Sequence, residues 1–417
     1  MTNKSILVLA ETIDIDSTSA GKANMGFIQS LVKEGFDVVV YHYSHKEFLN
    51  DSVRLVLVKE NKLHLHYYLS RAQRVLQRIT KRNFSRAIEN RFGFSFTFKN
   101  DAKSMALAIK EVGEEADLIV TLSKGASFRT HAALLLLPAL HTKWLAYVHD
   151  PYPFHLYPPP YNWTEAGHRQ KEAFFKTVSE KAAFSGFPSL LLQEWMGQYF
   201  PKFLKTGIVL PHQDISEAKN EAQIPSYFDP AKFSLLHAGN MLGYRNPFHL
   251  IEAYSIFLER EPAARADTQL IFLGPAEYHE PAFTQACSAV SSIYKSEGYV
   301  AFNEVYYLQQ QTSVNVIIEA EAAISPFLPG KFPHCIKANK PILLLSPAKS
   351  ECNRLLGEAY PYSALPNDIS TIAEKLSTLY HRWKANKNSL RLDREDLNTY
   401  FTSQYIRQEL MEKVFSL

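Results

Sequence analysis

The sequence has little cysteine, little net charge and no long apolar run. Its three cysteines show no Cys-x-x-Cys spacing, which argues against a disulfide framework or a zinc site and suits a reducing compartment. A formal net charge of +3 is too small to indicate a nucleic-acid partner. The apolar stretch 132–140 is too short to cross a bilayer, and the run 6–10 is too short for a secretory signal. We therefore expect a cytoplasmic protein that binds no nucleic acid.

The sequence also lacks a complete P-loop. Gly21 and Lys22 follow the first predicted strand, but Asp16 stands where an earlier glycine is needed, and Ala23 stands where Ser or Thr is needed. What remains is a loop of small residues around Gly21 that leads into a helix. Such a loop can approach a phosphate or a sugar, or it can simply connect the strand to the helix.

Strand and helix patterns alternate through the first half of the chain. The buried run 6–9, a helix at 24–33 and a second run at 38–40 form a βαβ pattern, which predicts a parallel sheet. Further strands are predicted at 118–122 and 144–148. The fold class is therefore α/β, and 417 residues exceed what one hydrophobic core usually serves.

The same alternation begins again near residue 233. The predicted elements are a helix at 246–259 and strands at 233–238, 269–273, 299–302, 322–325 and 341–345. Residues 211–230 are rich in Asp, Asn, Gln and Pro, as an interdomain linker would be. We expect one domain at 1–212 and a second at 213–396. By analogy, a C-terminal amphipathic helix over 397–414 should pack the end of the chain, 397–417, back on the first domain.

The segment 71–91 is unusually basic. It carries seven Arg or Lys residues and one Glu, interleaved with apolar side chains. One interpretation is a solvated helical face. The other is a basic amphipathic surface for anionic lipid headgroups or an acidic acceptor, which would make the protein peripheral to a membrane.

Ligands of open parallel sheets bind beyond the carboxyl ends of the strands, so the residues after each predicted strand are the candidates for a site. In the first half, His149 and Asp150 follow one strand and Ser123 follows another. The proline-rich run after Asp150 contains Tyr161, whose ring can stack on a sugar. We take His149, Asp150, Tyr161 and Ser123 as candidate site residues of the first half.

In the second half, a glycine-containing loop follows the strand 233–238. Gly239 allows the backbone to come close to a ligand, Asn240 follows it, and Arg245 can pair with a diphosphate.

A later Pro/Gly loop contains Gly330 and Lys331 at the start of a predicted helix. The loop amides and Lys331 would hold a pyrophosphate, and His334 would meet a ribose. The helix should end near Asn339, a residue that tolerates the left-handed cap.

These motifs resemble those of the group 1 glycosyltransferases (glycosyltransferase family four), over nearly the whole chain. Gly239 matches the glycine of the family's Gly-Arg motif, Asn240 replaces its arginine, and Arg245 stands for the lysine that follows. The segment 339–343, Asn-Lys-Pro-Ile-Leu, matches the Gly-Lys-Pro-Val-Ile-like start of a later strand.

One family motif is incomplete. The two glutamates that precede the later strand fall on Pro326 and His334, so neither carboxylate is present there. The Pro-Gly-Lys run resembles the Pro-Ser-Lys of one subgroup, in which Lys331 would neutralise phosphate.

In the first half, the Gly21 loop resembles the family's loop near the donor phosphates, and His149 resembles the strand-end histidine that touches the donor sugar. The resemblance therefore implies a catalytic role for His149 and places Asp150, Tyr161 and Ser123 on the acceptor side.

The resemblance implies a GT-B architecture, in which two Rossmann-like domains with parallel sheets face each other across a cleft. It also implies transfer of a sugar, with retention, from a nucleotide diphosphate-sugar to a glycan or lipid-linked acceptor in envelope polysaccharide biosynthesis. The nucleotide-sugar is a substrate, no cofactor is expected, and Arg245 and Lys331 would stabilise the departing diphosphate without a metal. Two alternatives remain: a GT-B nucleotide-sugar epimerase and a non-catalytic binding or scaffold subunit.

Overall fold

A computed structural model describes residues 4–15, 18–213 and 223–416, and these residues form two compact units. The first unit comprises residues 4–157, 161–213 and 402–416, and the second comprises 158–160 and 223–401. Asp16 and residues 214–222 of the expected linker lie outside the described residues. Each unit has its own parallel sheet.

The first unit is built on a seven-stranded parallel sheet in the order β3-β2-β1-β4-β5-β6-β7. Its strands are β1 (Ser5–Ala10), β2 (Asp37–His42), β3 (Arg54–Leu57), β4 (Leu118–Leu122), β5 (Trp144–Tyr147), β6 (Phe184–Phe187) and β7 (Gly207–Val209). The central strands β4 and β5 are buried along their whole length, as expected for a sheet with helices on both faces.

The helices that cover this sheet lie between the strands in sequence. They are α1 (Ser19–Lys33), α2 (Leu65–Thr80), α3 (Ser85–Phe92), α4 (Phe96–Ile109), α5 (Val112–Glu115), α6 (Arg129–Leu135), α7 (His168–Lys181), α8 (Leu190–Tyr199) and α9 (Lys202–Thr206). One core cluster lies on each side of β1 and β4, because successive side chains of a strand point to opposite faces.

The second unit has a six-stranded parallel sheet in the order β10-β9-β8-β11-β13-β15, and a separate pair, β12-β14. The strands are β8 (Phe233–Ala238), β9 (Thr268–Leu273), β10 (Ile293–Lys295), β11 (Val314–Ile318), β12 (Ile324–Ser325), β13 (Ile342–Leu345), β14 (Lys349–Ser350) and β15 (Ser363–Ala364). The helices are α10 (Phe248–Arg260), α11 (Ala264–Asp267), α12 (Ala282–Ser288), α13 (Phe302–Gln311), α14 (Phe332–Lys337), α15 (Glu351–Leu356), α16 (Ile369–Ala385) and α17 (Glu395–Tyr400).

Two of the strands predicted in this unit are wrong. The aromatic run 299–302 is not a strand: Tyr299 is exposed and α13 begins at Phe302. Of the predicted strand 322–325, only the last two residues form a strand, β12, and it lies outside the main sheet. The sheet instead uses β11, which the sequence analysis missed because buried Asn315 interrupts its apolar run.

Helix α1 begins at Ser19, five residues before its predicted start. The Thr18 hydroxyl accepts the Gly21 N–H at 3.1 Å and caps the helix, so Gly21 lies in its first turn and not in a loop. A Cβ on Gly21 would lie 2.0 Å from the Asp14 carbonyl oxygen. Gly21 is therefore required for the close packing of this turn against the chain after β1.

The predicted C-terminal helix is divided into α17 and a final helix, α18 (Ser403–Lys413). Thr402 has an extended backbone and so interrupts the helix. Its hydroxyl accepts the Tyr405 N–H at 3.3 Å and caps α18. Helix α18 packs against α1 in the first unit, where the Ser403 hydroxyl donates to Glu34 at 2.6 Å. Among the described residues, no helix has the length and apolar character needed to cross a membrane.

Candidate functional site

The polar cluster of the second unit begins with His237 on β8. Its Nδ1 lies 3.1 Å from the Val316 carbonyl oxygen of the neighbouring strand β11. A carbonyl can only accept a hydrogen bond, so Nδ1 carries the hydrogen and Nε2 is left as an acceptor. Burial, and then the charges of Lys331 and Arg245, hold the pKa of His237 well below its usual range, so the ring is neutral.

Lys331 brings its amine onto this histidine from the loop before α14. Its Nζ lies 3.2 Å from Nε2 and 3.3 Å from Nδ1 of His237. Burial, followed by the charge of Arg245, lowers the pKa of Lys331 to about 7. Within the part of the chain that the structure describes, the amine makes no salt bridge, so its charge is available to an anion.

Glu319 directly follows β11 and is 5% exposed. Its backbone N–H donates to the Leu345 carbonyl of β13, which continues the sheet and fixes its position. Neither carboxylate oxygen has a hydrogen-bond partner of good geometry among the described residues. Burial raises the pKa of Glu319 to about 7, against weaker lowering by side-chain hydrogen bonds with Cys352 and Ser325 and by the charge of Arg245. A buried carboxylate with no partner of good geometry is costly, and it marks a candidate site.

Gly239, Asn240 and Arg245 occupy the loop between β8 and α10. Gly239 adopts φ 149°, which favours glycine, and a Cβ there would lie 3.2 Å from the Lys331 amine. Asn240 and Arg245 are half-buried. Helix α10 begins at Phe248, two residues later than predicted, because the Asn246 side chain accepts the Phe248 N–H at 2.9 Å. The structure thus brings Gly239, Arg245 and Lys331 together around His237.

Gly330 and His334 flank Lys331 in different surroundings. Gly330 is exposed, and a Cβ on it would meet no atom within 4 Å. His334 is buried on α14, with its ring 5.4 Å from that of Phe302 and 5.5 Å from that of Tyr306. Helix α14 ends before Asn339, which has φ 51°, as the sequence predicts. The expected contact of His334 with a ribose stays a prediction.

His149 lies just beyond β5 in the first unit. It is 9% exposed, and its Nε2 has no hydrogen-bond partner among the described residues. The ring lies 4.6 Å from that of Tyr147 and stacks at 6.0 Å on that of His212. Burial, and then His212 and His131, hold the pKa of His149 well below its usual range. A neutral ring with a free nitrogen can form a hydrogen bond with a ligand.

The residues assigned to the acceptor side fall into two places. Ser123 and Asp150 meet around Gly125: the buried Ser123 hydroxyl donates to the Gly125 carbonyl at 2.7 Å, so it is occupied within its own loop. The carboxylate of Asp150 lies 3.7 Å from the position of a Cβ on Gly125. Tyr161 packs its ring 5.0 Å from that of Trp163, in an aromatic group that the sequence analysis anticipated as a stacking surface.

A separate cavity of about 160 Å³ opens in the first unit. Its polar groups are arranged in ion pairs: Lys171 lies 2.5 Å from Glu165 and 3.0 Å from Glu89, and Arg129 lies 2.5 Å from Glu11. Four aromatic side chains line it as well: Phe94, Phe98, Tyr152 and Phe154. Carboxylates beside aromatic faces suit a ligand that carries hydroxyl groups on an apolar ring.

No family model matches this sequence, and no curated protein matches it. The fold is similar to that of HepE from Anabaena in complex with UDP and glucose (TM-score 0.60, 11% identity, 100% of each chain covered). It is similar to a UDP-forming α,α-trehalose-phosphate synthase from Burkholderia vietnamiensis (TM-score 0.64, 12% identity, 100% of each chain). It also resembles WaaG, a glycosyltransferase involved in lipopolysaccharide biosynthesis (TM-score 0.56, 15% identity, 95% of each chain). This chain has the GT-B fold.

Two features of this GT-B chain were missed by the sequence analysis. Glu319 was overlooked because its strand, β11, was not predicted, although a carboxylate directly after an apolar run is a detectable signal. The cavity around Arg129 and Lys171 was overlooked because its residues come from six separate segments of the chain. Among the described residues, no group of three or more His, Cys, Asp or Glu side chains could hold a metal ion.

Proposed function

We propose that this chain is a group 1 glycosyltransferase. It would move a sugar from a nucleotide diphosphate-sugar to a glycan or lipid-linked acceptor, with retention and without a metal, in cytoplasmic steps of envelope polysaccharide biosynthesis. The observation that carries the proposal is the half-buried Lys331, whose amine lies beside a neutral histidine at the strand ends of a GT-B fold. UDP is the first candidate for the nucleotide, because HepE was solved with UDP and the synthase is UDP-forming.

The chemistry that we assign to Lys331 and Arg245 is electrostatic. The departing nucleotide diphosphate gains negative charge as the bond to the sugar breaks, and fixed cations in a buried site stabilise that charge. With a pKa of about 7, Lys331 is only partly protonated in the free protein at neutral pH. A bound diphosphate favours the ammonium form, so binding above pH 7 would take up a proton.

We assign Glu319 to the donor sugar. In the family that the sequence resembles, a glutamate holds the sugar hydroxyls, and its place in this chain is taken by Pro326. Glu319 supplies a carboxylate near Lys331 and Arg245, close enough for these groups to influence one another's pKa. Neither of its two oxygens has a partner of good geometry among the described residues, so both can accept hydrogen bonds from hydroxyl groups.

We assign the acceptor to the aromatic cavity of the first unit. Its aromatic walls offer faces to a sugar ring, and the carboxylates of Glu89 and Glu165 offer acceptors for hydroxyl groups. Asp150 and Tyr161 keep their predicted acceptor-side role.

Calorimetric titration with UDP, GDP and ADP tests the donor site. We expect one nucleotide to bind with micromolar affinity, and Lys331→Ala and Arg245→Ala each to weaken binding by at least tenfold, because each removes a charge-assisted contact worth about 1.5–3 kcal/mol. The affinity of the unaltered protein should decline above pH 7, where Lys331 loses its proton. Lys331→Arg should show no such decline, because a guanidinium stays protonated there.

The matched control is Lys337→Ala, which removes an exposed lysine at the end of α14, the helix that follows Lys331. It should leave the affinity unchanged. If no nucleotide binds, or if Lys331→Ala and Lys337→Ala behave alike, the donor site is misplaced. Release of nucleotide from the matching nucleotide-sugar then separates an enzyme from a scaffold: binding without any turnover would favour the non-catalytic alternative.

A further inference from the structure

Helix α2 packs one face on α4 and leaves the rest of its surface uncovered by the described residues of the first unit. Of its 16 residues only Ser70 is buried, and no residue of the following helix α3 is buried. Helices of a globular domain normally bury an apolar stripe against the core, and most of their stability in water depends on that packing. The uncovered surface of α2 and α3 therefore needs an explanation.

The exposed surface of α2 is an apolar stripe. Its members lie three, four or seven residues from one another along the helix, apart from one adjacent pair, which places them on one side, and Ile79 is 74% exposed. The stripe consists of Leu65, Tyr68, Val75, Leu76 and Ile79. Phe92, at the end of α3, is a further exposed aromatic side chain of this surface. Scattered apolar residues are common on protein surfaces, but a continuous stripe of this kind marks an interaction site.

Basic side chains lie alongside the stripe. Arg71 pairs with Glu60 at 3.1 Å, and Arg74 donates to the Thr97 hydroxyl at 3.2 Å. Four more cations of the segment are exposed and make no side-chain hydrogen bond or salt bridge with any described residue. They are Arg78, Lys81, Arg82 and Arg86. The surface thus combines unpaired positive charge with uncovered apolar groups.

We infer that α2 and α3 form a docking surface for an anionic lipid bilayer. The apolar stripe would enter the boundary between headgroups and acyl chains, while the four unpaired cations contact the anionic headgroups. This combination favours a bilayer over RNA or an acidic protein, because a polyanion in water would satisfy the cations but leave Leu65, Leu76 and Ile79 exposed. The inference does not depend on the proposed sugar transfer, and its test needs no nucleotide.

Sedimentation of the full chain with vesicles tests the docking surface. Vesicles of phosphatidylcholine and phosphatidylglycerol, mixed three to one, should bind the protein, and vesicles of phosphatidylcholine alone should bind it much more weakly. The triple variant Arg78→Gln, Arg82→Gln, Arg86→Gln should lose about a hundredfold in partition, because each cation near an anionic surface contributes roughly a fivefold factor.

The matched control removes three exposed cations elsewhere in the first unit: Lys181→Gln, Lys202→Gln and Lys205→Gln. It changes the net charge equally and should bind as the unaltered protein does. Equal losses in both triple variants would overturn the inference, because attraction would then follow net charge and not this surface. Tight binding to single-stranded RNA that competes with the vesicles and survives Ile79→Ser would favour a nucleic-acid partner and would also overturn it.

A labelling experiment reports insertion directly. All three native cysteines are buried, so an environment-sensitive fluorophore can be directed to a new thiol from Leu76→Cys. We expect its emission to shift to the blue with the anionic vesicles, and the same label at Leu136→Cys, a similarly exposed leucine of the first unit, to show no shift. No shift at either position, or an equal shift at both, would contradict docking through α2.

Discussion

At the scale of single residues, the proposed donor cluster consists of His237, Arg245, Glu319 and Lys331, and burial sets the pKa values of its histidine, glutamate and lysine. Burial disfavours a charged group of either sign, and it therefore moves the pKa of Lys331 down and that of Glu319 up, each to about 7. Both groups can change protonation state near neutral pH. Binding of a ligand can therefore change the charge of Lys331 or of Glu319.

The variant Glu319→Gln tests this residue-scale account through stability. The carboxyl has a pKa near 4.5 in the unfolded chain and about 7 in the folded one, so the unaltered protein loses stability as the pH rises from 4.5 to 7. The loss should reach about 3 kcal/mol in the free energy of unfolding. An uncharged glutamine avoids it, so the variant should be the more stable protein above pH 7.

The measurement is urea unfolding of both proteins at pH 5 and at pH 8. The difference in stability should be larger at pH 8, and sugar transfer should fall in the same variant because its sugar contact is weakened. If the difference in stability between the two proteins is the same at pH 5 and at pH 8, burial does not raise the pKa of the Glu319 carboxyl.

At the scale of elements, α18 completes the core of the first unit. Ile406 and Leu410 are fully buried in the same cluster as Phe27, Ile28 and Leu31 of α1. The sequence analysis expected one long terminal helix, whereas Thr402 caps a new helix that belongs to this unit.

Leu410→Ala should therefore lower the free energy of unfolding by about 2–5 kcal/mol, because it leaves a cavity in a packed core. The neighbouring Met411→Ala shortens a side chain that is 36% exposed and should cost less than half as much. Thermal unfolding followed by circular dichroism compares the two. Equal effects would mean that α18 is only loosely attached in solution.

At the scale of the whole molecule, each unit carries its own sheet and core clusters, and each candidate subsite is built within one unit. The donor cluster uses only residues of the second unit. Binding of UDP should therefore slow amide hydrogen exchange in the loops 239–246 and 319–331, whose opening competes with binding. Hydrogen exchange with mass spectrometry checks this, with α18 as the internal reference. Protection confined to α18 would place the nucleotide elsewhere.

The sequence by itself determined the α/β class, the restart of the strand–helix alternation near residue 233 and the central strands β1, β4 and β8. These features depend on local periodicity and on continuous apolar runs, which are visible in one dimension. Gly239 and Lys331 were selected from the sequence as site candidates, because ligands meet parallel sheets at the carboxyl ends of their strands, and their role in binding a donor stays a prediction.

The tertiary structure alone decided which groups meet and how they are charged. His237 faces Lys331 across 94 residues of chain, and Glu319 comes close to them because β11 lies beside β8. No local pattern encodes such a pairing, because contact and burial depend on residues far away in sequence. For the same reason the sequence showed that segment 71–91 is basic and amphipathic, but only the fold showed that its apolar stripe is left uncovered.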